Sequence, residues 1–284
     1  MPQSSRVSAA VVMVAGASLV SLNEGVALII SKAVGVPMAV WARYVFCLAI
    51  LLATTGLRPV LRTFAQSEHR WFQVLRASMP ILGSVFFVKG MATIPLSEGQ
   101  GIVFLAPVLV LLGARLFLKE EVGPRRAFGA ALAFVGVMLI ASPDLKGFGW
   151  SHLYPLGTAI TFAIYQLMTR MMGLRSHALN SMHYLAVIGF LLTTPFAGAT
   201  WQFPDLSVWM LMGLSGLLYC MSHFSFVWAL SRAEASFLAP FLNAQLVSAV
   251  VVGQFLLGQQ ATLTAIGGCC LIVAGSVIAS RKSR

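Results

Sequence analysis

Ten long apolar stretches follow one another along the chain, with connections of about a dozen residues at most, and they leave no room for a water-soluble domain. A bilayer-spanning helix needs roughly 20 mostly apolar residues to cross a hydrocarbon core of about 30 Å. The stretches run over 7–30, 38–57, 72–93, 97–117, 126–142, 151–172, 178–198, 207–230, 236–257 and 263–280. Only 10% of residues are charged, against about 25% in a soluble domain. The expected fold class is therefore all-α integral membrane, with ten transmembrane helices. The first stretch is not a removable signal peptide, because it continues past Ala15-Gly16-Ala17 to Ile30.

The formal net charge of +11 invites a nucleic-acid reading, which the placement of the charges rejects. With a cytoplasmic N-terminus, the inside segments hold Arg6, Arg58, Arg62, Arg70, Arg76, Lys119, Arg125, Arg126, Arg170, Arg175, Arg232, Arg281, Lys282 and Arg284. The outside loops hold Lys32 and Lys146 alone. This is the positive-inside bias. It predicts a multi-pass protein of the inner membrane with both termini cytoplasmic, in contact with membrane lipid and without a nucleic-acid partner. Cys47, Cys220, Cys269 and Cys270 all lie in spans and show no disulfide or metal spacing. No ATP-binding or glycine-rich nucleotide loop is present, so no cofactor is expected, and active transport must draw on an ion gradient, exchange or another subunit.

The two halves of the chain align without a gap from Val88 to Ala141. Phe87-Val88 falls on Phe226-Val227, Ser97 on Ser236, Leu118 on Leu257, Gly129 on Gly268 and Gly136 on Gly275. Each half, 7–142 and 151–280, holds five spans. An odd number means that the second half enters from the opposite side, which makes an inverted repeat of the kind secondary transporters share. Gly129, Ala133 and Gly136 in the fifth span, with Gly267, Gly268 and Gly275 in the tenth, let helices approach closely. They serve either packing within the chain or a homodimer face.

Ionisable groups inside a span cost at least about 2.5 kcal/mol near the bilayer centre, so they mark cavities. At 1.5 Å per residue, Glu24, Arg43, Lys89 and Glu98 all fall in the outer half of the membrane, as two acids and two bases. Such a neutral cluster would close as a gate of ion pairs or open to hold a zwitterion. Arg43 and Lys89 have a second reading as snorkelling side chains, and Glu98 as a cap of the fourth span. Glu24 is too short to snorkel and suits substrate contact or proton coupling. In the second half the corresponding positions are His183, Trp228 and Phe237, so the inner path is aromatic. Tyr165, Asn243 and Gln245 complete the expected set. Of the last two, which point apart, one is expected to line the path. Pro107, in mid-span, is expected to kink the fourth helix.

Lys89-Gly90-Met91-Ala92-Thr93-Ile94-Pro95-Leu96-Ser97-Glu98, Pro107, Leu116-Phe117-Leu118-Lys119-Glu120-Glu121, Ala235 to Phe241 and Gly267 to Gly275 together resemble the drug/metabolite transporter superfamily, EamA type. The resemblance covers essentially the whole chain as two EamA repeats. It implies a ten-helix carrier, not an enzyme, working by alternating access on a small-molecule substrate with proton or counter-substrate coupling. The segment from span three to span four resembles bacterial carriers for riboflavin and for S-adenosylmethionine, which makes these, or an amino acid or related metabolite, the candidate cargo. Such relatives often carry an acid where Gln245 stands. The competing readings are an intramembrane lipid-linked transferase, for which no paired catalytic carboxylates are found, and a non-transporting scaffold, against which the charged cluster argues.

Overall fold

The computed structural model describes residues 3–91, 102–141, 150–173, 178–256 and 263–280. Those residues form a helical bundle: α1 (Gln3–Val34), α2 (Val36–Thr55), α3 (Leu57–Gln66), α4 (Arg70–Met91), α5 (Ala106–Phe117), α6 (Pro124–Ala141), α7 (Leu153–Gly173), α8 (Ala178–Ala199), α9 (Leu206–Arg232), α10 (Ala235–Leu238), α11 (Ala244–Leu256) and α12 (Leu263–Ser280). A 3-10 segment, Ala239–Asn243, joins α10 to α11. Among the described residues five segments are long and apolar enough to cross a membrane: Arg6–Val34, Val36–Thr55, Ala178–Ala199, Leu206–Arg232 and Ala235–Val252. Ala106–Phe117 and Ile266–Ala279 are shorter apolar helices. The outer surface is rich in exposed Leu, Val, Ile and Phe, among them Val135, Leu191, Phe196 and Val273. In water that would be an aggregation hazard; against acyl chains it is the expected surface.

The bundle has two ends. At one lie the N-terminus, the α2–α4 and α5–α6 connections, and the α9–α10 junction; the α1–α2 turn marks the other. The first will be called the terminal end, the second the far end. The α2–α4 connection holds a helix the apolar pattern does not reveal, because α3 alternates leucines with arginines rather than running apolar throughout.

Close packing of α6 on α12 follows from their glycines. A Cβ on Gly129 would lie 2.5 Å from the Gly275 carbonyl oxygen, and one on Gly136 would lie 2.5 Å from that of Gly268. The glycine stripes of the fifth and tenth spans are thus used against each other inside one chain. Gly267 is different, with nothing within 4 Å of a Cβ.

The expectation about Pro107 needs correcting. Pro107 is the second residue of α5, not the middle of a long helix; Phe104 and Leu105 form a turn just before it. At a helix start its missing N–H costs nothing, so no kink follows from it. Pro240 lies in the 3-10 segment, and its carbonyl accepts a hydrogen bond from Ser276 Oγ at 3.0 Å. That bond ties the 3-10 segment to α12.

Candidate functional site

A cavity of about 480 Å³ opens among α1, α2, α4, α5, α7, α9 and α11. Its wall reaches Leu28, Ser31 and Val36 at the α1–α2 turn, and its floor is formed by Tyr219, Ser222 and His223 of α9. It therefore occupies the far half of the bundle and takes residues from both halves of the chain.

Two polar groups face it from opposite repeats. Glu24, on α1, accepts a hydrogen bond from the Gln245 amide of α11, Nε2 to Oε1 at 3.3 Å. The break at Ala239–Asn243 sets where α11 begins, and Ser21 Oγ donates to the Gln245 carbonyl, so α1 holds this stretch at two points. One residue before Glu24, Asn23 turns into the protein and accepts from Ser215 Oγ at 2.6 Å. Successive helix positions thus do different work: one fastens α1 to α9 and the next presents a carboxylate to the cavity.

Arg43, on α2, supplies the opposite charge. Its guanidinium carbon stands 5.9 Å from the centre of the Tyr219 ring. It makes no ion pair within 4 Å among the described residues, and its buried Nε has no hydrogen-bond partner. Buried polar atoms are nearly always paired, so this orphaned donor beside a cavity is available to a bound molecule.

Beneath the cavity the aromatic groups continue as a column. Tyr44 meets Tyr219 edge-on at 5.0 Å, Tyr219 lies 4.1 Å from the His223 ring, and the Tyr165 hydroxyl is 2.9 Å from His223 Nδ1. Arg76 closes the column with its guanidinium 5.5 Å from the Tyr165 ring. Arg76 is fully buried at 0% exposure. It donates from Nε to Gln73 Oε1 at 2.9 Å, and its two terminal nitrogens donate to Thr169 Oγ1 at 3.2 Å and to the Ser181 carbonyl at 2.6 Å. The reading of Arg76 as one of the loop charges that orient the chain is corrected here. It is a structural cation whose planar fork ties α4 to α7 and α8, a task for which Arg is far better shaped than Lys. No signal in the apolar pattern separates it from the neighbouring surface arginines.

The other expected site residues distribute as follows. Glu24, Arg43 and Gln245 line the cavity. Tyr165 stands behind its floor and reaches it through His223. Lys89 is in the last turn of α4, exposed and outside the cavity wall, and Glu98 lies outside the described residues. Three residues of the expected set lie away from this cavity. His183 is held between α3 and α8, with Nδ1 2.9 Å from Thr63 Oγ1. Trp228 carries the Arg232 guanidinium 3.9 Å over its ring at the terminal end. Asn243 is buried in the 3-10 segment and does not face the cavity. Inversion carries His183 and Trp228, the counterparts of Arg43 and Lys89, to the terminal end of the bundle, whereas this cavity lies in the far half.

The terminal end is closed by ion pairs. Glu234 binds Arg126 at 2.6 Å and Arg6 at 3.2 Å, while Glu120 binds Arg170 at 3.1 Å. The Glu120 carboxylate also accepts the backbone N–H groups of Ala235 at 3.1 Å and Ser236 at 2.8 Å. A carboxylate from the α5–α6 connection thus caps α10, satisfying two of the N–H groups a helix start leaves open. Arg126 adds a hydrogen bond to Ser236 Oγ at 2.9 Å.

A mostly apolar cavity with Glu24, Arg43 and Gln245 in its wall at one end, and ion pairs at the other, on a bundle of apolar helices, fit a membrane transporter. The chain belongs to the EamA-like transporter family, whose model matches residues 6–142 and 149–281. It is similar to a protein of Vibrio cholerae named riboflavin transporter, at 30% identity over 79% of this chain and 76% of that one. It is also similar to an S-adenosylmethionine uptake transporter of Rickettsia bellii, at 23% identity over 73% of this chain and 72% of that one. A solved crystal structure matches 98% of this chain and 97% of its own with a TM-score of 0.79 at 16% identity, which shows the fold.

Proposed function

We propose that the protein is a secondary transporter that moves a small planar heteroaromatic metabolite, a flavin first, across the inner membrane by alternating access. The carrying observation is the cavity: Glu24 with Gln245 at one side, the unpaired Arg43 at another, and the Tyr219–His223 floor between them. Ten spans in two inverted repeats, 7–142 and 151–280, with both termini cytoplasmic, are part of this reading. In that orientation the far end faces outward, the cavity is open to the outside, and the Glu120 and Glu234 ion pairs are the closed inner gate.

The charge balance favours a flavin. Glu24 and Arg43 are the only carboxyl and guanidinium groups among the described lining residues. A neutral isoalloxazine would place its carbonyls and ring nitrogens against Arg43 and Gln245 and its faces against aromatic walls. The ribityl hydroxyls would meet Ser31, Ser84, Thr158 and Thr161. S-adenosylmethionine brings a sulfonium in addition to its zwitterion, and among the described lining residues there is no second carboxylate to meet it. Proton coupling is assigned to Glu24, which holds a single hydrogen bond from a neutral amide.

Counterflow in proteoliposomes loaded in turn with riboflavin, S-adenosylmethionine and amino acids tests both levels of the proposal. Riboflavin accumulation above that in empty liposomes is the expected result. Accumulation of another compound keeps the carrier and replaces the cargo. No accumulation of any of them by folded protein overturns the reading for these cargoes.

A further inference from the structure

The helix α3 takes no part in the cavity, and its three faces differ sharply. Gly56, at φ +80°, ends α2 in a conformation that favours glycine and turns the chain toward the α2–α4 connection. The ten residues of α3 span about 15 Å at the terminal end. One face is fastened to α8. Val60 is buried, Thr63 Oγ1 lies 2.9 Å from His183 Nδ1 and 3.3 Å from Asn180 Oδ1, and the Phe64 ring lies 4.3 Å from that of Tyr184. A second face carries Leu57 and Leu61, one turn apart and 60% and 58% exposed. A third, beside the leucines, carries Arg58 and Arg62, also one turn apart and exposed. Past the turn that follows, Arg70 and Trp71 are exposed as well. Within 57–71 the sequence holds three arginines and one carboxylate, Glu68.

An open leucine face bordered by arginines is the pattern of a helix lying in a membrane interface, apolar side toward the acyl chains and cations at the level of the headgroups. Tryptophan is the residue enriched at that depth. The guanidinium groups supply paired donors for phosphate oxygens. We infer that α3, together with Arg70, is a binding site for anionic phospholipid at the membrane surface on the terminal side. Anionic lipid is favoured over zwitterionic lipid because the site carries a net positive charge, worth about 1 kcal/mol, or roughly fivefold, per basic residue near a charged surface. The fastening through Thr63 and His183 holds the site rigid against α8, so its charges are presented in a fixed array. This inference rests on the chain being a membrane protein and on neither the cargo nor the direction of transport.

Native mass spectrometry of the full chain tests it, with phosphatidylglycerol and phosphatidylcholine offered together. The wild type is expected to retain phosphatidylglycerol preferentially. R58Q/R62Q is expected to lose that preference by about 25-fold, at two arginines' worth of attraction. R58K/R62K is expected to keep most of it, which separates lost charge from a misfolded helix. R232Q, which removes an exposed cation at the same end, is expected to leave the preference unchanged. An undiminished preference in R58Q/R62Q would overturn the proposal. So would an equal loss in R232Q, which means diffuse charge and not a site, or an equal loss in R58K/R62K. None of these measurements reads transport, so they stand apart from the counterflow experiment.

Discussion

Gln245 donates its side-chain amide to Glu24 at 3.3 Å, and this bond links α1 of the first repeat to α11 of the second at the wall of the cavity. A hydrogen bond to an ionised group is worth about 1.5–3 kcal/mol. On the reading of Glu24 as a substrate or proton site, Glu24→Gln is expected to reduce the initial counterflow rate by at least about tenfold. Membrane insertion, measured as yield in the membrane fraction, is expected to stay intact. Normal transport by this variant removes Glu24 from the mechanism.

The glycines of α6 and α12 are not equivalent. Gly136→Ala would bring a methyl group to 2.5 Å from the Gly268 carbonyl, while Gly267→Ala meets nothing within 4 Å. Overpacking of this kind costs about 1–3 kcal/mol. Thermal unfolding in detergent is expected to show a lowered midpoint for Gly136→Ala and none for Gly267→Ala. Equal behaviour of the two would mean that α6 and α12 do not pack through this stripe.

The ion pair of Glu120 and Arg170 is nearly buried, with side-chain exposures of 9% and 8%. Removing one member of such a pair leaves an uncompensated charge and costs about 3–5 kcal/mol. Arg170→Gln therefore should destabilise strongly. Glu120→Gln should do so less, because its remaining carbonyl oxygen still accepts from the α10 backbone. The ordering of the two melting temperatures checks this, and its reversal would show that the carboxylate cap of α10 matters more than the remaining carbonyl oxygen can supply.

Orientation is open to a direct check. A reporter fused after Arg284 is expected to read cytoplasmic, as the distribution of arginine and lysine requires. A periplasmic reading would overturn the ten-span arrangement.

What could be read from the chain before its structure follows a physical divide. Glu24 stands out because a short acid within an apolar stretch has few harmless explanations. Gln245 stands out by depth. Depth says nothing of the direction around a helix, so Arg43 and Lys89 look alike in the sequence although one lines the cavity and the other does not. His183 and Trp228 follow from correspondence between repeats, and that correspondence carries them to the terminal end, away from the cavity of the far half. Arg76 was hidden for the opposite reason. It follows a run of true surface cations, and only the approach of Gln73, Thr169 and Ser181 distinguishes it. The α2–α4 connection concealed α3 because a ten-residue helix with three different faces leaves no simple period.

The cavity draws its wall from both halves of the chain, and this bears on how occupancy translates into movement. A molecule touching Glu24 alone would bind equally well however the halves were arranged, and equal affinity for two arrangements shifts neither. A molecule spanning from Glu24 to Tyr219 measures the distance between the halves and is held best at one separation. Size, more than stickiness, would then decide which compounds set the two halves in motion and which merely sit in the opening as inhibitors.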